Sequence, residues 1–120
     1  MILVDTSIWI DHLRGGDAAL AALLQADLVW THDFVIGELA CGKLRNRAEI
    51  LGLLQSLPRL IAATEEETLF FIEKQQLMGR GIGYIDAHLL AATVIRGARL
   101  WTKDKPLQGI AEKSGWAHSA

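Results

Sequence analysis

Short apolar runs alternate with longer helical patterns along the whole chain. The first run, Ile2–Val4, is continuous and leads directly into an aspartate, as is typical of a strand buried on both faces. Further strands are predicted at Leu28–Trp30, Arg59–Ala62 and Arg99–Thr102, with a possible edge strand at Trp116–His118. Because short strands that alternate with helices form right-handed crossovers, the pattern predicts an α/β fold with a mostly parallel sheet.

Start and stop signals place the helices between these strands. A short helix over Thr6–Leu13 should end at Gly15-Gly16, and Asp17 should cap a second helix over Ala18–Leu24. The remaining predicted helices are Phe34–Leu44 with Asp33 as its cap, Asn46 to about Leu57, a capping box at Thr64–Glu67 continuing to Met78, Tyr84–Arg96, and Pro106–Lys113. The helix Tyr84–Arg96 is apolar almost all round, so we expect it to be largely buried.

Composition narrows the class of protein. The chain has 120 residues, of which 51% are hydrophobic, so we expect a single domain over residues 1–120 with a substantial core. Its one cysteine provides neither a disulfide framework nor a thiolate zinc cage. There is no signal-peptide pattern and no run long enough to span a membrane, so a cytoplasmic location is expected. The net charge of −2 does not by itself indicate nucleic-acid binding.

Four acidic residues stand out from the rest because they lie on apolar elements. Asp5 and Asp104 each follow a predicted strand, Glu38 is the one charge in an apolar helix, and Asp86 lies in the first turn of another. Each has an ordinary explanation: Asp5, Asp86 and Asp104 could serve helix starts, and Glu38 could pair with an arginine. Together they are harder to explain in this way, since unpaired buried charges are expensive.

Convergence of these carboxylates would raise their pKa values unless a cation lay between them. Oxygen ligands favour a hard divalent ion, so Mg²⁺ or Mn²⁺ is the expected cofactor. The four histidines lack the spacing of zinc ligands, and we interpret His88 as structural.

The order of these motifs resembles the PIN-domain ribonucleases, and in particular the VapC-type toxins of toxin–antitoxin pairs. The resemblance rests on Ile2–Ser7, Glu38 in a helix, Tyr84–Ala87 and Leu100–Asp104, and it covers nearly the whole chain. It implies a three-layer α/β/α fold with a central sheet of four to five short strands. It also implies that Asp5, Glu38, Asp86 and Asp104 form an acidic metal site, with Thr6 and Thr102 as supporting hydroxyls.

The same resemblance implies the activity and the partners. A Mg²⁺-dependent endoribonuclease would cleave RNA phosphodiesters by in-line attack and leave a 5′ phosphate. We expect Asp5 and Asp86 to bind metal directly, Glu38 to orient water or a second ion, and Asp104 to complete the site. The basic residues expected to contact RNA phosphates are Lys43, Arg45, Arg47, Lys103 and Lys105. A small antitoxin with a basic tail and a homodimer are the implied protein partners.

Three other hypotheses about function are weighed against a toxin nuclease. A phosphorylation receiver would need a second acid beside Asp5 and an aspartate after the strand Arg59–Ala62, and the sequence has neither. Gly37–Lys43 formally matches a P-loop, but a glutamate inside it would repel phosphate. A housekeeping PIN nuclease would carry the same acids as a toxin.

For the four tryptophans, packing in the core is favoured, although Trp9 and the apolar face Phe34–Leu39 could receive an antitoxin.

Overall fold

The computed structural model describes residues 1–119. Its strands are β1 (Ile2–Val4), β2 (Val29–Trp30) and β3 (Arg99–Trp101). Its helices are α1 (Thr6–Gly15), α2 (Ala18–Gln25), α3 (Asp33–Ala40), α4 (Arg47–Ser56), α5 (Glu65–Lys74), α6 (Tyr84–Arg96) and α7 (Lys105–Lys113). Within residues 1–119, no helix has the length and apolar character needed to cross a bilayer.

The three strands form one parallel sheet in the order β2-β1-β3. Strand β1 lies in the centre, with Leu3 opposite both Trp30 and Leu100. Leu3 and Val4 point to opposite faces of the sheet, yet both are completely buried. Helices therefore cover both faces of the sheet, and the predicted α/β fold with a parallel sheet is confirmed.

The predicted number of strands, four to five, is wrong. Arg59 and Ala117 each make a single parallel bridge, to Thr31 on one edge and to Leu100 on the other, and neither segment continues as a strand. After Arg59 the chain buries Leu60 but leaves Ile61 66% exposed, and it then turns into α5. The segments predicted as outer strands thus lie at the sheet edges, but each leaves after one paired residue.

Local signals fixed most helix starts. Asp17 accepts a hydrogen bond from the Leu20 N–H at 3.0 Å, and Thr64 and Glu67 form the predicted capping box. Helix α6 begins at Tyr84 and ends at Arg96, as predicted, and its buried positions include all seven residues from 87 to 93.

Helix α3 differs from its prediction at both ends. His32, not Asp33, is the N-cap, because the His32 Nδ1 accepts from the Phe34 N–H at 3.0 Å. Asp33 instead pairs with Arg59 at 2.9 Å. The helix ends at Ala40, where Arg47 donates to the Ala40 carbonyl, so residues 41–46 form a loop before α4. The predicted helix to Met78 likewise ends earlier, at Lys74.

Candidate active site

Asp5 lies at the carboxyl end of the central strand. Its N–H donates to the Trp101 carbonyl at 2.9 Å, which extends the pairing of β1 with β3 by one residue. Only 6% of Asp5 is exposed. It occupies the N-cap position of α1, but its side chain accepts no capping hydrogen bond. Helix capping therefore does not explain this buried carboxylate.

Two hydroxyl groups hold the Asp5 carboxylate in place. Thr102 donates to Asp5 Oδ2 at 2.7 Å, and Ser7 donates to the same oxygen at 3.0 Å. These hydroxyls in turn accept hydrogen bonds from backbone N–H groups, Ser7 from Lys103 at 3.0 Å and Thr102 from Asp104 at 3.1 Å. The end of β3 thus fixes the orientation of Asp5, because one oxygen takes both hydroxyl bonds and the other remains for a ligand.

Ser7 supplies a hydroxyl beside the first acid. The Thr6 Oγ1 is buried, and among the described residues it has no hydrogen-bond partner. In the sequence Asp5-Thr6-Ser7, the hydroxyl that donates to Asp5 is that of Ser7, two residues further on. The predicted supporting role of Thr6 therefore stays a prediction, and Ser7 is a hydroxyl at Asp5 that the sequence analysis did not select.

Replacing Thr102 by valine should destabilise the fold through this network. Thr102 is 3% exposed. Its replacement by valine removes the hydrogen bond to Asp5 and leaves the Asp104 N–H without its acceptor. An unsatisfied buried polar group costs about 1–3 kcal/mol, so urea denaturation should show a loss of that size for Thr102→Val. Thr102→Ser, which keeps the hydroxyl, is the matched control. Equal stability of the two variants would show that the network does not hold Asp5.

Asp86 and Asp104 both lie at helix starts. Asp86 Oδ2 accepts from the Gly83 N–H at 3.2 Å in the first turn of α6, and Asp104 Oδ2 accepts from the Leu107 N–H at 3.1 Å as the N-cap of α7. The ordinary explanation therefore holds for one oxygen of each carboxylate. The Asp86 side chain is half-buried, and its pKa is raised mainly by this burial and further by Asp5 and Asp104.

Glu38 lies on α3, within electrostatic range of Asp5 and Asp86. Partial burial raises the pKa of its carboxyl, and the neighbouring charges of Asp5 and Asp86 raise it further. The charges of Asp5 and Asp104 in turn raise the pKa of Asp86. The four acids thus repel one another, although they come from four separate elements. Like charges held near one another in this way attract a cation.

The donor set fits a hard divalent ion that keeps much of its water. The ion pairs within residues 1–119 are Arg59–Asp33 and Lys103–Asp11, so no basic side chain neutralises the four acids. In the same range, no three His, Cys, Asp or Glu side chains lie together in a way that could hold a metal ion. A closed zinc cage is therefore not supported. Mg²⁺, which usually takes one or two carboxylates and retains several waters, suits this arrangement.

The basic residues predicted to contact RNA have different surroundings. Lys43, Arg45 and Lys105 are exposed. Lys103 pairs with Asp11. This ion pair raises the pKa of Lys103 and lowers the pKa of Asp11. Arg47 donates to the carbonyls of Ala40 and Gly42, so its position is explained by closing the end of α3.

Several other sequence interpretations are decided by the packing. His88 is buried and its Nδ1 lies 3.1 Å from Thr68 Oγ1, which agrees with a structural role. Gly37–Lys43 is no phosphate loop, since α3 runs through Ala40. Trp9 is 1% exposed and Val35 is fully buried, so these two side chains belong to the core, whereas Phe34 and Ile36 of the same predicted face are half-buried.

Comparisons with known proteins give a consistent result. Residues 2–113 match the PIN domain family model. The chain is 46% identical over 118 residues to Ribonuclease VapC32 of Mycobacterium tuberculosis strain H37Rv, covering 98% of this chain and 95% of that protein. Two solved structures share the fold. PAE2754 from Pyrobaculum aerophilum has a TM-score of 0.69 at 16% identity, covering 98% of this chain and 87% of that one. M. tuberculosis VapC20, a sarcin–ricin loop cleaving toxin, has a TM-score of 0.63 at 20% identity, covering 99% and 98%.

Proposed function

The chain belongs to the PIN-domain family, and on that premise we propose that it is a Mg²⁺-dependent endoribonuclease, the toxin of a toxin–antitoxin pair. One observation carries the proposal. The buried Asp5 carboxylate is oriented by Thr102 and Ser7 instead of capping its helix, and it faces acids whose pKa values are raised without any basic partner among residues 1–119. The near full-length likeness to a ribonuclease supports the same activity.

Each acid has a separate role in this proposal. Asp5 and Asp86 bind the ion through the oxygens that their structural hydrogen bonds leave available, and Asp104 completes the site. When bound, Mg²⁺ or Mn²⁺ supplies an activated water and neutralises charge on the phosphate and the leaving 3′ oxygen. Glu38, whose pKa is raised, orients the attacking water and accepts its proton. The product carries a 5′ phosphate.

The exposed cations position the RNA strand. Lys43, Arg45 and Lys105 are available to neutralise phosphates on either side of the cut. Lys103 contributes once RNA competes with Asp11 for its ammonium group. Such contacts would make cleavage weaken steeply with added salt.

The activity is tested with purified protein and total RNA. Cleavage should require Mg²⁺ or Mn²⁺, stop in EDTA and return when the metal is restored, with 5′ phosphates on the products. Cleavage that continues in excess chelator would overturn the metal mechanism. Induced expression in a host without the antitoxin should arrest growth, whereas normal growth with active enzyme would indicate a housekeeping PIN nuclease.

A groove beside Glu38 is the proposed seat of the antitoxin. It encloses about 610 Å³ between α1, the end of α3 and α4. Its lining includes the apolar residues Ile10, Leu13, Leu39, Leu44 and Ile50 and the basic residues Arg14, Lys43 and Arg45. An amphipathic antitoxin helix would place its apolar face here and its basic tail against Glu38. Ile10→Asp should abolish binding of the co-expressed antitoxin while the nuclease stays active; retained binding would reject this seat.

An exposed apolar surface on α5 is the proposed homodimer contact. Leu69 is 51% exposed and Phe70 is 65% exposed. Large apolar side chains that adjoin one another on a surface commonly mark a protein interface. Light scattering should give twice the monomer mass for the wild type and the monomer mass for Phe70→Lys. A wild-type monomer at micromolar concentration would exclude the dimer.

A further inference from the structure

A second cavity lies at the outer edge of β3. It encloses about 380 Å³ between the strand, helix α7 and the chain that follows the helix. We call it the β3-edge cavity, and the lining residues that bear on its chemistry are Trp101, Thr102, Gln108, Glu112 and His118. Its volume lies at the small end of the range for ligand pockets, which suits a single flat ring system.

The cavity and the acidic site share the residue Thr102 and the helix α7. Thr102 lines the cavity, and its hydroxyl also donates to Asp5 at 2.7 Å. On α7, Gln108 and Glu112 follow Asp104 at intervals of four residues, so all three lie along one side of the helix. The rise of an α-helix places Gln108 about 6 Å and Glu112 about 12 Å beyond Asp104. The cavity therefore lies within about one nucleotide spacing of the acids along α7, where a base next to the cut could enter it.

The lining offers both a ring surface and hydrogen-bonding groups. Trp101 is half-buried and forms an edge-to-face pair with His118 at 5.5 Å between ring centroids. Aromatic rings of this kind stack on nucleobases. The Gln108 amide can donate and accept, whereas the Glu112 carboxylate can only accept.

The charge of Glu112 decides which part of a nucleotide could enter. A carboxylate repels phosphate, but it accepts hydrogen bonds from the amino group of a base, as glutamate does from cytosine. Adenine, cytosine and guanine carry such amino groups and uracil does not. The β3-edge cavity therefore favours a base with an exocyclic amine.

We infer that the β3-edge cavity is a base-recognition subsite that selects an amino-bearing base at one position beside the cleaved phosphodiester. Gln108 and Glu112 are its specificity-determining residues, and Trp101 supplies its stacking surface. The inference rests on the proposed function, since it assigns a subsite to the same nuclease.

The test uses a pool of RNA oligonucleotides with randomised sequence and reads the ends of all products. Wild-type protein should disfavour uracil at one fixed position beside the cut. Glu112→Gln and Gln108→Ala should each relax that preference about tenfold while the total rate of cleavage changes less. Glu49→Gln, which removes a charge from an exposed position on α4, is the matched control and should retain the wild-type preference.

A binding measurement separates this inference from the nuclease proposal. In the Asp5→Asn background, AMP and CMP should quench tryptophan fluorescence more strongly than UMP, and Glu112→Gln should remove the difference. A wild type that cuts RNA with the same base preference as both variants would overturn the subsite alone. A wild type that cuts no RNA would instead overturn the proposed function.

Discussion

Asp5→Asn is expected to lower RNA cleavage by about 10²- to 10³-fold, the loss typical when one electrostatic contact to a transition state is removed. The amide has the shape of the carboxylate, and its oxygen can still accept from Thr102 and Ser7. The fold should therefore survive while the charge available to a metal disappears. Rates should be measured on one defined RNA substrate in saturating Mg²⁺, with the melting temperature of each variant recorded in parallel.

Asp27→Asn is the matched control for this substitution. Asp27 is exposed and has a φ of 57°, a backbone conformation that asparagine tolerates well. It makes the same chemical change away from the acidic site, so its activity should equal that of the wild type. An Asp5→Asn protein that is folded and retains more than about a tenth of wild-type activity would remove Asp5 from the proposed metal site.

Glu38→Gln is expected to stabilise the metal-free protein and to weaken its response to metal. The pKa of Glu38 is higher in the folded chain than its ordinary value because of partial burial and the charges of Asp5 and Asp86. The folded state thus binds more protons than the unfolded state between the ordinary and the raised pKa, so stability falls as pH rises through that window. The glutamine variant should lose this pH dependence. In EDTA at neutral pH its melting temperature should be higher, by a small amount because solvent screens an exposed group.

Added metal should reverse the order of the two proteins. Mg²⁺ at one hundred times its Kd stabilises the folded state by about 2.7 kcal/mol, or roughly 10 °C for a domain of this size. Wild-type protein should show this shift, and it should weaken as the pH falls because protons compete with metal at Glu38 and Asp86. Glu73→Gln, at an exposed position on α5, should behave as the wild type. An equal metal response in Glu38→Gln would show that the Glu38 charge does not contribute to metal binding.

The positions of the acids after apolar strands and the bounds of α6 could be predicted from neighbouring residues in the sequence. Asp5 and Asp104 follow apolar strands, and parallel strands bring their carboxyl ends to one edge of the sheet. Gly83 and Gly97 border an apolar run, which accounts for the agreement of α6 with its predicted bounds. These features depend on neighbouring residues, so the sequence alone could reveal them.

Other features depend on contacts that are distant in the chain. Ser7, the supporting hydroxyl that the sequence analysis did not select, accepts a hydrogen bond from the Lys103 N–H, 96 residues away in the chain. His32 and Asp33 could both cap α3, and the tilted contact between the His32 and Phe34 rings, 5.1 Å between centroids, accompanies the choice of His32. The prediction of additional outer strands is wrong for a similar reason. The path of the chain after Arg59 determines how many of its residues pair with the sheet edge.

The acids of four separate elements are expected to meet around one divalent ion. Diffraction from crystals grown in Mn²⁺, recorded at the manganese absorption edge, can show this ion. We predict an anomalous peak about 2.1 Å from a carboxylate oxygen of Asp5, with Asp86, Glu38 and Asp104 around the peak. No peak there at saturating Mn²⁺, or any of these acids on the opposite side of the molecule, would contradict it.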